Sequence, residues 1–211
     1  MARVVSFDEL LASAGDLLKD PQRKVLAIAG APGSGKSTLA AKLVRALDSA
    51  GPGTVAEFPM DGFHFDDAVL HARGRRPWKG APDTFDVGGL AATLKRLRDP
   101  AEGDVAVPVF DRDLEISRGS ARIIGADVRL IVTEGNYLLL DEDPWRGLAP
   151  YFDLTVMVDV AEDELRRRLR KRWKGFGLSP DEIDFKLDQN DMPNGVRVMR
   201  GSVPPALIFR Q

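Results

Sequence analysis

A glycine-rich segment at residues 30–38, GAPGSGKST, constrains this chain more than any other part of its sequence. It fits the pattern G-x-x-x-x-G-K-[ST], in which glycines let the backbone curl until successive N–H groups point towards bound phosphates. An apolar run at 25–29 precedes it like a buried strand, and a helical pattern at 39–47 follows it. A strand, a phosphate-binding loop and a helix in this order predict a nucleoside triphosphate site. A glycine turn that binds nothing is the less favoured interpretation.

The residues of this loop have different expected roles. Lys36 would reach the β- and γ-phosphates, and the Ser37 hydroxyl would bind Mg²⁺. Backbone amides at the start of the following helix would hold further phosphate oxygens. The predicted nucleotide-binding residues are Gly30, Ala31, Pro32, Gly33, Ser34, Gly35, Lys36, Ser37 and Thr38.

Length and composition limit the other possibilities. The 211 residues suit one well-buried domain, which we take to span 1–211. A net charge of -2 argues against nucleic acid as a partner, and the absence of cysteine excludes disulfides and thiolate metal sites. The sequence shows neither a signal-peptide pattern nor an apolar run approaching about 18 residues, so we expect a cytoplasmic protein with no membrane partner. A homodimer is one arrangement that the sequence leaves open.

The alternation of apolar patterns predicts an α/β fold with a mostly parallel central sheet covered by helices on both faces. Ser6 and Glu9 fit a capping box that opens a helix within residues 1–20, and another helix is expected from about Val87 to Arg98. Residues 66–88, rich in Gly, Pro, Arg and Asp, are interpreted as an irregular or mobile insert. Extended segments are expected at 54–59, 105–110, 129–133, 154–159, 196–199 and 206–209.

Acidic residues follow two of these strands. Asp61 comes just after the strand at 54–59, and Glu134 ends the strand at 129–133. Ligands of parallel sheets gather at the carboxyl ends of the strands, so both should face the nucleotide. Asp61 is the predicted base that takes the proton of an acceptor hydroxyl, although Asp-Gly is also a favoured turn pair. Glu134 is predicted to order Mg²⁺, the alternative being a neighbour of a helix N-cap.

A basic run at 166–174 places seven cations in nine positions. Together with Gly175 and Gly177 it predicts a flap over the phosphates, a lid at about 165–180. Arg168 and Arg172 lie four residues apart on one helical face and would stabilise charge on the transferring group. A solvated or nucleic-acid-binding face is the alternative interpretation.

Further polar residues should flank the same strand ends. His64 lies three residues beyond Asp61 and could touch the acceptor, although an exposed histidine without a role is nearly as plausible. Lys79, Asp86, Arg112 and Tyr137 belong to neighbouring segments, and each is weak evidence by itself.

Taken together, these segments resemble the phosphoribulokinase, uridine kinase and pantothenate kinase group of P-loop kinases. Within that group, the chain is similar to bacterial fructose transport system kinases. The resemblance runs from about residue 25 to 194. Beyond the phosphate loop it rests on PMDGFHFDD (59–67), RRPWKGAPDTFD (75–86), PVFDR (108–112), VTEGNYLLLD (132–141), FDLTVMVDV (152–160), RLRKRW (168–173) and NDMPN (190–194).

The resemblance implies a three-layer αβα fold with a helical lid, and transfer of phosphate from ATP to a hydroxyl of a small metabolite. The fructose label implies a sugar acceptor. By position, Asp61 matches the acceptor-activating aspartate, and Arg168 and Arg172 match lid arginines. No role follows for Asn190 or Asp191. The residues matching the acceptor pocket are Lys79, Asp86, Phe110 and Arg112.

Other functions remain as alternatives. A nucleoside or pantothenate kinase would differ only in its acceptor, and Gly62-Phe63-His64 departs from the Ser-Phe-Tyr that follows the aspartate in uridine kinases. A GTP-binding switch would need an N-K-x-D motif, which the sequence lacks. A nucleic-acid-dependent ATPase is supported by the basic run alone.

Overall fold

A computed structural model of the chain describes residues 2–49 and 51–211. Its strands make one six-stranded sheet and one two-stranded sheet. The strands are β1 (Arg3–Val5), β2 (Lys24–Gly30), β3 (Val55–Pro59), β4 (Val105–Asp111), β5 (Ile116–Ile124), β6 (Leu130–Gly135), β7 (Leu154–Asp159) and β8 (Leu207–Arg210). The larger sheet has the order β1-β8-β7-β2-β6-β3 with every pair parallel, whereas β4 and β5 form an antiparallel hairpin.

Helices connect the strands of the larger sheet. The α-helices are α1 (Phe7–Leu17), α2 (Lys36–Asp48), α3 (Asp67–Ala72), α4 (Val87–Arg98), α5 (Glu162–Gly175), α6 (Pro180–Lys186) and α7 (Met192–Gly201). Short 3-10 turns occur at Met60–Phe63, Arg76–Trp78, Pro82–Thr84 and Trp145–Tyr151, and a π-helical turn at Leu187–Asp191. Among the described residues, no helix has both the length and the apolarity needed to cross a bilayer.

The sheet separates two layers of core because side chains alternate between its faces. On β2, Val25, Ala27 and Ala29 are buried against one cluster, which includes Leu90 and Leu94 of α4. The intervening residues of β2 face the other cluster, where the apolar sides of α1 and α2 pack. The three-layer αβα architecture is therefore confirmed.

Several local predictions are also confirmed. Helix α4 has the expected bounds, and α1 begins with the capping box formed by Ser6 and Glu9. The strand expected at 129–133 is observed as β6, and the one expected at 154–159 as β7.

Other predictions are wrong. Residues 196–199 lie in helix α7 and not in a strand. Pro193 is well suited to the first turn of a helix, and the alternating valines at 196 and 198 are compatible with a helix as well as with a strand. Residues 66–88 are not irregular throughout, since the Asp66 side chain caps α3. The β5 strand was missed because most of its residues are not buried, which leaves little apolar pattern.

Candidate functional site

The phosphate loop joins β2 to α2 at the centre of the sheet. Gly33 and Gly35 adopt positive φ angles of 78° and 85°, which side chains other than glycine rarely accept. A Cβ atom on Gly30 would come within 2.6 Å of the Ser34 hydroxyl. Helix α2 begins after Gly35 without a side-chain cap, so its first N–H groups are available to an anion. The segment thus has the geometry of a phosphate cradle.

Beside this loop lies a cavity of about 630 Å³. It is lined by Lys36, Ser37 and Thr38 from the start of α2 and by Asp61 from the turn after β3. Burial lowers the pKa of the Lys36 ammonium, while the carboxylates of Glu134 and Asp61 act in the opposite direction. A cationic group in this position is placed to neutralise phosphate oxygens.

Asp61 and Glu134 converge as the sequence predicts. Strands β3 and β6 are neighbours, and Pro59 pairs with Glu134, so the two carboxylates follow adjacent strand ends. Arg112, from the turn after β4, donates from Nη2 to Asp61 Oδ2 at 2.6 Å. Burial acts to raise the pKa of Asp61, but nearby positive charges, among them Arg112 and Lys36, outweigh it and hold that pKa below its ordinary value. Asp61 is therefore ionised at neutral pH.

The hairpin reaches Asp61 because residue 62 has no side chain. A Cβ atom on Gly62 would lie 2.5 Å from the Pro108 carbonyl oxygen, closer than real contacts allow. The Ser117 hydroxyl of β5 also donates to the Gly62 carbonyl. Gly62 thus permits the close approach that brings Arg112 to the strand ends.

Glu134 is nearly enclosed, with 5% of its surface exposed. The pKa of Glu134 is raised, chiefly by burial. The positive charge of Lys36 acts to lower this pKa, whereas the negative charge of Asp61 raises it further. Glu134, Asp61 and Ser37 line a second cavity of about 170 Å³ next to the first. The two carboxylates thus have pKa values displaced in opposite directions, as in sites that assign them different roles.

The oxygen donors of this second cavity suit Mg²⁺, a hard cation that prefers carboxylate and hydroxyl oxygens. In residues 2–49 and 51–211, no group of three acidic or histidine side chains forms a metal cage. Mg²⁺ in kinases characteristically binds one or two protein groups together with phosphates and water. Ser37 and Glu134 fit that mode of binding.

Aromatic rings form part of the cavity wall away from the loop. The His64 ring lies between Phe85 and Phe110, at centroid distances of 4.0 and 4.7 Å. Its Nδ1 is 2.8 Å from the Asp61 carbonyl oxygen, which can only accept, so Nδ1 carries the proton. Burial lowers the pKa of His64, against the effect of Asp61, and favours a neutral ring.

Two of the predicted acceptor residues do not line the cavity. The Asp86 carboxylate caps α4 by accepting from the Gly89 N–H at 2.8 Å. Tyr137 is buried and donates its hydroxyl to the Gly80 carbonyl at 2.6 Å, and burial raises its pKa. The other predicted acceptor residues, His64, Lys79, Phe110 and Arg112, do line it.

Helix α5 lies over the phosphate loop and carries both predicted lid arginines. Leu169 packs so tightly that a Cβ atom on Gly33 would be 2.9 Å from its Cγ. Arg168 donates to the Ser34 carbonyl at 3.3 Å and to Gln211 Oε1 at 2.9 Å. Arg172 lies over the Trp173 ring at 5.2 Å and lines the cavity, and burial lowers its pKa.

Three other arginines of the basic run form ion pairs of their own. Arg166 pairs with Asp188 and Arg170 with Asp184, both at 2.6 Å, and Arg167 pairs with Glu164 on its own helix. Arg168 also pairs with Glu164, at 2.6 Å. Arg168 and Arg172 nevertheless line the cavity, which the other three arginines do not.

Sequence reasoning missed one wall of the cavity. Trp173 Nε1 donates to Asp191 Oδ2 at 2.6 Å, which joins α5 to the π-helical turn. Burial raises the pKa of Asp191, and the hydrogen bond from Trp173 opposes it. Lys186 lies 4.7 Å from the Trp173 ring centroid and also lines the cavity. The polar residues Asn190 and Asp191, shortly before Pro193, were a signal in the sequence. The sequence alone does not show which side chains they contact.

The chain is similar to known proteins over most of its length. The sequence profile of the Phosphoribulokinase / Uridine kinase family matches residues 25–197. A Schizosaccharomyces pombe protein named "Putative uridine kinase C227.14" is 32% identical over 215 residues, which cover 99% of this chain and 92% of that protein. The Escherichia coli "Uncharacterized protein YggC" is 36% identical over 192 residues, covering 90% of this chain and 78% of that protein.

A solved structure shows a similar fold. It comes from Silicibacter sp. TM1040 and is described as a "putative fructose transport system kinase". The two structures superpose with a TM-score of 0.89 at 36% identity, over 97% of this chain and 98% of that one.

Proposed function

Because this chain belongs to the Phosphoribulokinase / Uridine kinase family and is a P-loop kinase, we propose that it transfers the γ-phosphate of ATP to a hydroxyl of a sugar. The observation that carries this proposal is the shared cavity of Lys36, Ser37 and Asp61, with Asp61 ionised and held by Arg112. This arrangement supports a role for Asp61 as the group that takes the proton of an acceptor hydroxyl.

In the proposed reaction, the acceptor hydroxyl oxygen bonds to the γ-phosphorus as the bond from that phosphorus to the bridging oxygen of ADP breaks. Asp61 receives the hydroxyl proton. Lys36 and Arg172 stabilise the negative charge that spreads over the transferring phosphoryl group. Mg²⁺, when bound, would neutralise phosphate charge, and Ser37 and Glu134 are the residues that would hold it.

Support for a sugar comes from the aromatic wall and from similarity. Flat rings such as those of His64 and Phe110 suit the C–H faces of a sugar, while the polar groups beside them suit its hydroxyls. The similar structure whose description names fructose transport agrees with this choice.

A nucleoside acceptor is the second candidate. The relative whose name includes uridine kinase favours it, and the same aromatic wall would also stack on a pyrimidine. Neither observation separates the two acceptors, so a direct assay is needed.

The test is ADP release with fructose, other hexoses, pentoses, uridine and pantothenate, each supplied separately. We expect release with at least one sugar, above the rate with ATP alone, and none with Lys36→Ala. Release with uridine or pantothenate and with no sugar would replace the sugar proposal by the corresponding alternative. The absence of any acceptor-dependent release from the folded enzyme would argue against this acceptor range.

A further inference from the structure

Lys79 is an unusually enclosed lysine in the acceptor part of the cavity. Only 6% of its side-chain surface is exposed. Its ammonium donates to Asp67 Oδ1 at 2.7 Å and to the Glu115 carbonyl at 2.5 Å, and lies 5.3 Å from the Phe110 ring centroid. An ammonium group has three N–H donors. The third has no acceptor among residues 2–49 and 51–211, and Lys79 lines the cavity.

The backbone of this lysine is held from two separate elements. Asn190 Nδ2, from the π-helical turn, donates to the Lys79 carbonyl at 3.1 Å. The Tyr137 hydroxyl donates to the next carbonyl, that of Gly80, at 2.6 Å. Asn194 in turn donates to Asn190 Oδ1 at 2.8 Å. Two consecutive carbonyls fixed by buried side chains keep Lys79 in one position, a degree of pre-organisation typical of binding groups.

Lys79 shares its carboxylate partner with a second cation. Arg76 Nε also donates to Asp67, at 2.6 Å, so one carboxylate serves two cations. Arg76 and Lys79 both line the cavity. A poorly solvated cation is costly unless an anion accompanies it. Over the whole cavity, seven lysine and arginine side chains line the wall together with the four carboxylates of Asp61, Asp113, Glu115 and Asp191, so the lining as a whole carries an excess of positive charge.

We propose that the acceptor carries an anionic group, a phosphate or a carboxylate, besides the hydroxyl that is phosphorylated, and that Lys79 and Arg76 bind this group. Tyr137 and Asn190 are positioning residues that hold Lys79 for that contact. The inference rests on the proposed function for the identity of the reacting hydroxyl, but not for the anion site itself. It narrows the acceptor class to sugar phosphates and sugar acids.

The first experiment measures anion binding without turnover. The phosphate loop is saturated with a non-hydrolysable ATP analogue, and inorganic phosphate and acetate are titrated separately by calorimetry. We expect at least one anion to bind the wild type, and Lys79→Met to weaken it at least tenfold. Lys95→Met, on the exposed face of α4, is the matched control and should bind normally. The anion that binds more tightly distinguishes a phosphate from a carboxylate.

Two results would overturn the inference: neither anion binds the wild type, or Lys79→Met binds as well as the wild type. Because Lys79→Met leaves Asp67 with one cation and could impair folding, Arg76→Gln provides a second, more exposed variant. It should weaken anion binding severalfold while the melting temperature stays near that of the wild type. If folded Arg76→Gln bound the anion with unchanged affinity, Arg76 would not be one of the residues that bind it.

The second experiment compares matched acceptors: ribose with ribose 5-phosphate, and glycerol with glycerate. The anionic member of a pair should have a kcat/KM at least tenfold higher. Tyr137→Phe should raise its KM severalfold while the KM for ATP is unchanged, which a purely structural defect would not do. Equal turnover of neutral and anionic members would reject the inference but leave the kinase proposal intact. No transfer to any acceptor would count against the proposed function, and the anion titration would still decide the inference.

Discussion

Arg112 and Asp61 are 51 residues apart in sequence and form an ion pair of 2.6 Å beside the phosphate loop. The pair connects the β4–β5 hairpin to the carboxyl end of β3, and it exists because Gly62 lets the hairpin approach. Arg112 lowers the pKa of Asp61 and that of Glu134. One arginine thus influences both of the carboxylates that the proposed chemistry uses.

Arg112→Gln should therefore shift the pH dependence of activity. A carboxylate base works when deprotonated, so kcat/KM falls as the pH drops through its pKa. Removing Arg112 raises the pKa of Asp61 and of Glu134, and the acid limb of the profile should move to higher pH. Arg118→Gln is the control, since Arg118 pairs with Asp111 on the same hairpin. An acid limb that stays in place in Arg112→Gln would show that neither carboxylate controls it.

Lys36→Ala should abolish nearly all turnover while the fold remains. The ammonium interacts with the carboxylates of Glu134 and Asp61 beside the phosphate loop, where we expect charge to develop on the transferring group. Loss of such a group costs about 10²-fold or more. Steady-state rates and far-UV circular dichroism measure the two effects. Lys42→Ala, on the same helix but stacked on Phe7, should retain its rate. Normal turnover in Lys36→Ala would mean that the loop does not clamp the transferred phosphate.

Asp61→Asn should separate catalysis from nucleotide binding. The amide keeps the size of the carboxylate but cannot take the hydroxyl proton, so we expect a loss of about 10²–10⁴ in kcat. Affinity for an ATP analogue, measured by calorimetry, should change little. A strong loss of that affinity would instead assign Asp61 to the metal ion.

The sequence predicted the central features of the fold because local patterns encode them. The glycine spacing of the phosphate loop, the apolar strands and the acidic residues that follow β3 and β6 can each be read within about ten residues. The sequence could not show which residues far apart in the chain form hydrogen bonds with each other. Tyr137 was expected in the acceptor pocket, yet it acts on the Gly80 carbonyl, and Asp86 caps its own helix. The sequence assigned no role to Asn190, whereas the structure shows that its side chain donates a hydrogen bond to the Lys79 carbonyl.

The basic run offers a matched pair for testing the lid. Arg172 lines the cavity, whereas Arg170, two residues earlier, pairs with Asp184. Arg172→Ala should lower kcat by about 10²-fold, because it removes a positive charge near the transferring group. Arg170→Ala should change kcat less than about twofold, as expected for an exposed ion pair. Equal effects of the two substitutions would favour a general electrostatic role for the whole run.

Gly33→Ala tests whether the phosphate loop and α5 act as one packed unit. Gly33 has a φ of 78°, and an added Cβ would lie 2.9 Å from Leu169 Cγ. Alanine in the left-handed region costs about 1–2 kcal/mol, and Leu169 must also move. We therefore expect a lower free energy of unfolding in urea and weaker binding of an ATP analogue. Gly147→Ala, where a Cβ meets nothing within 4 Å, should stay within about 0.5 kcal/mol of the wild type. If Gly33→Ala bound the analogue normally, the contact between α5 and the loop would not be needed to shape the phosphate site.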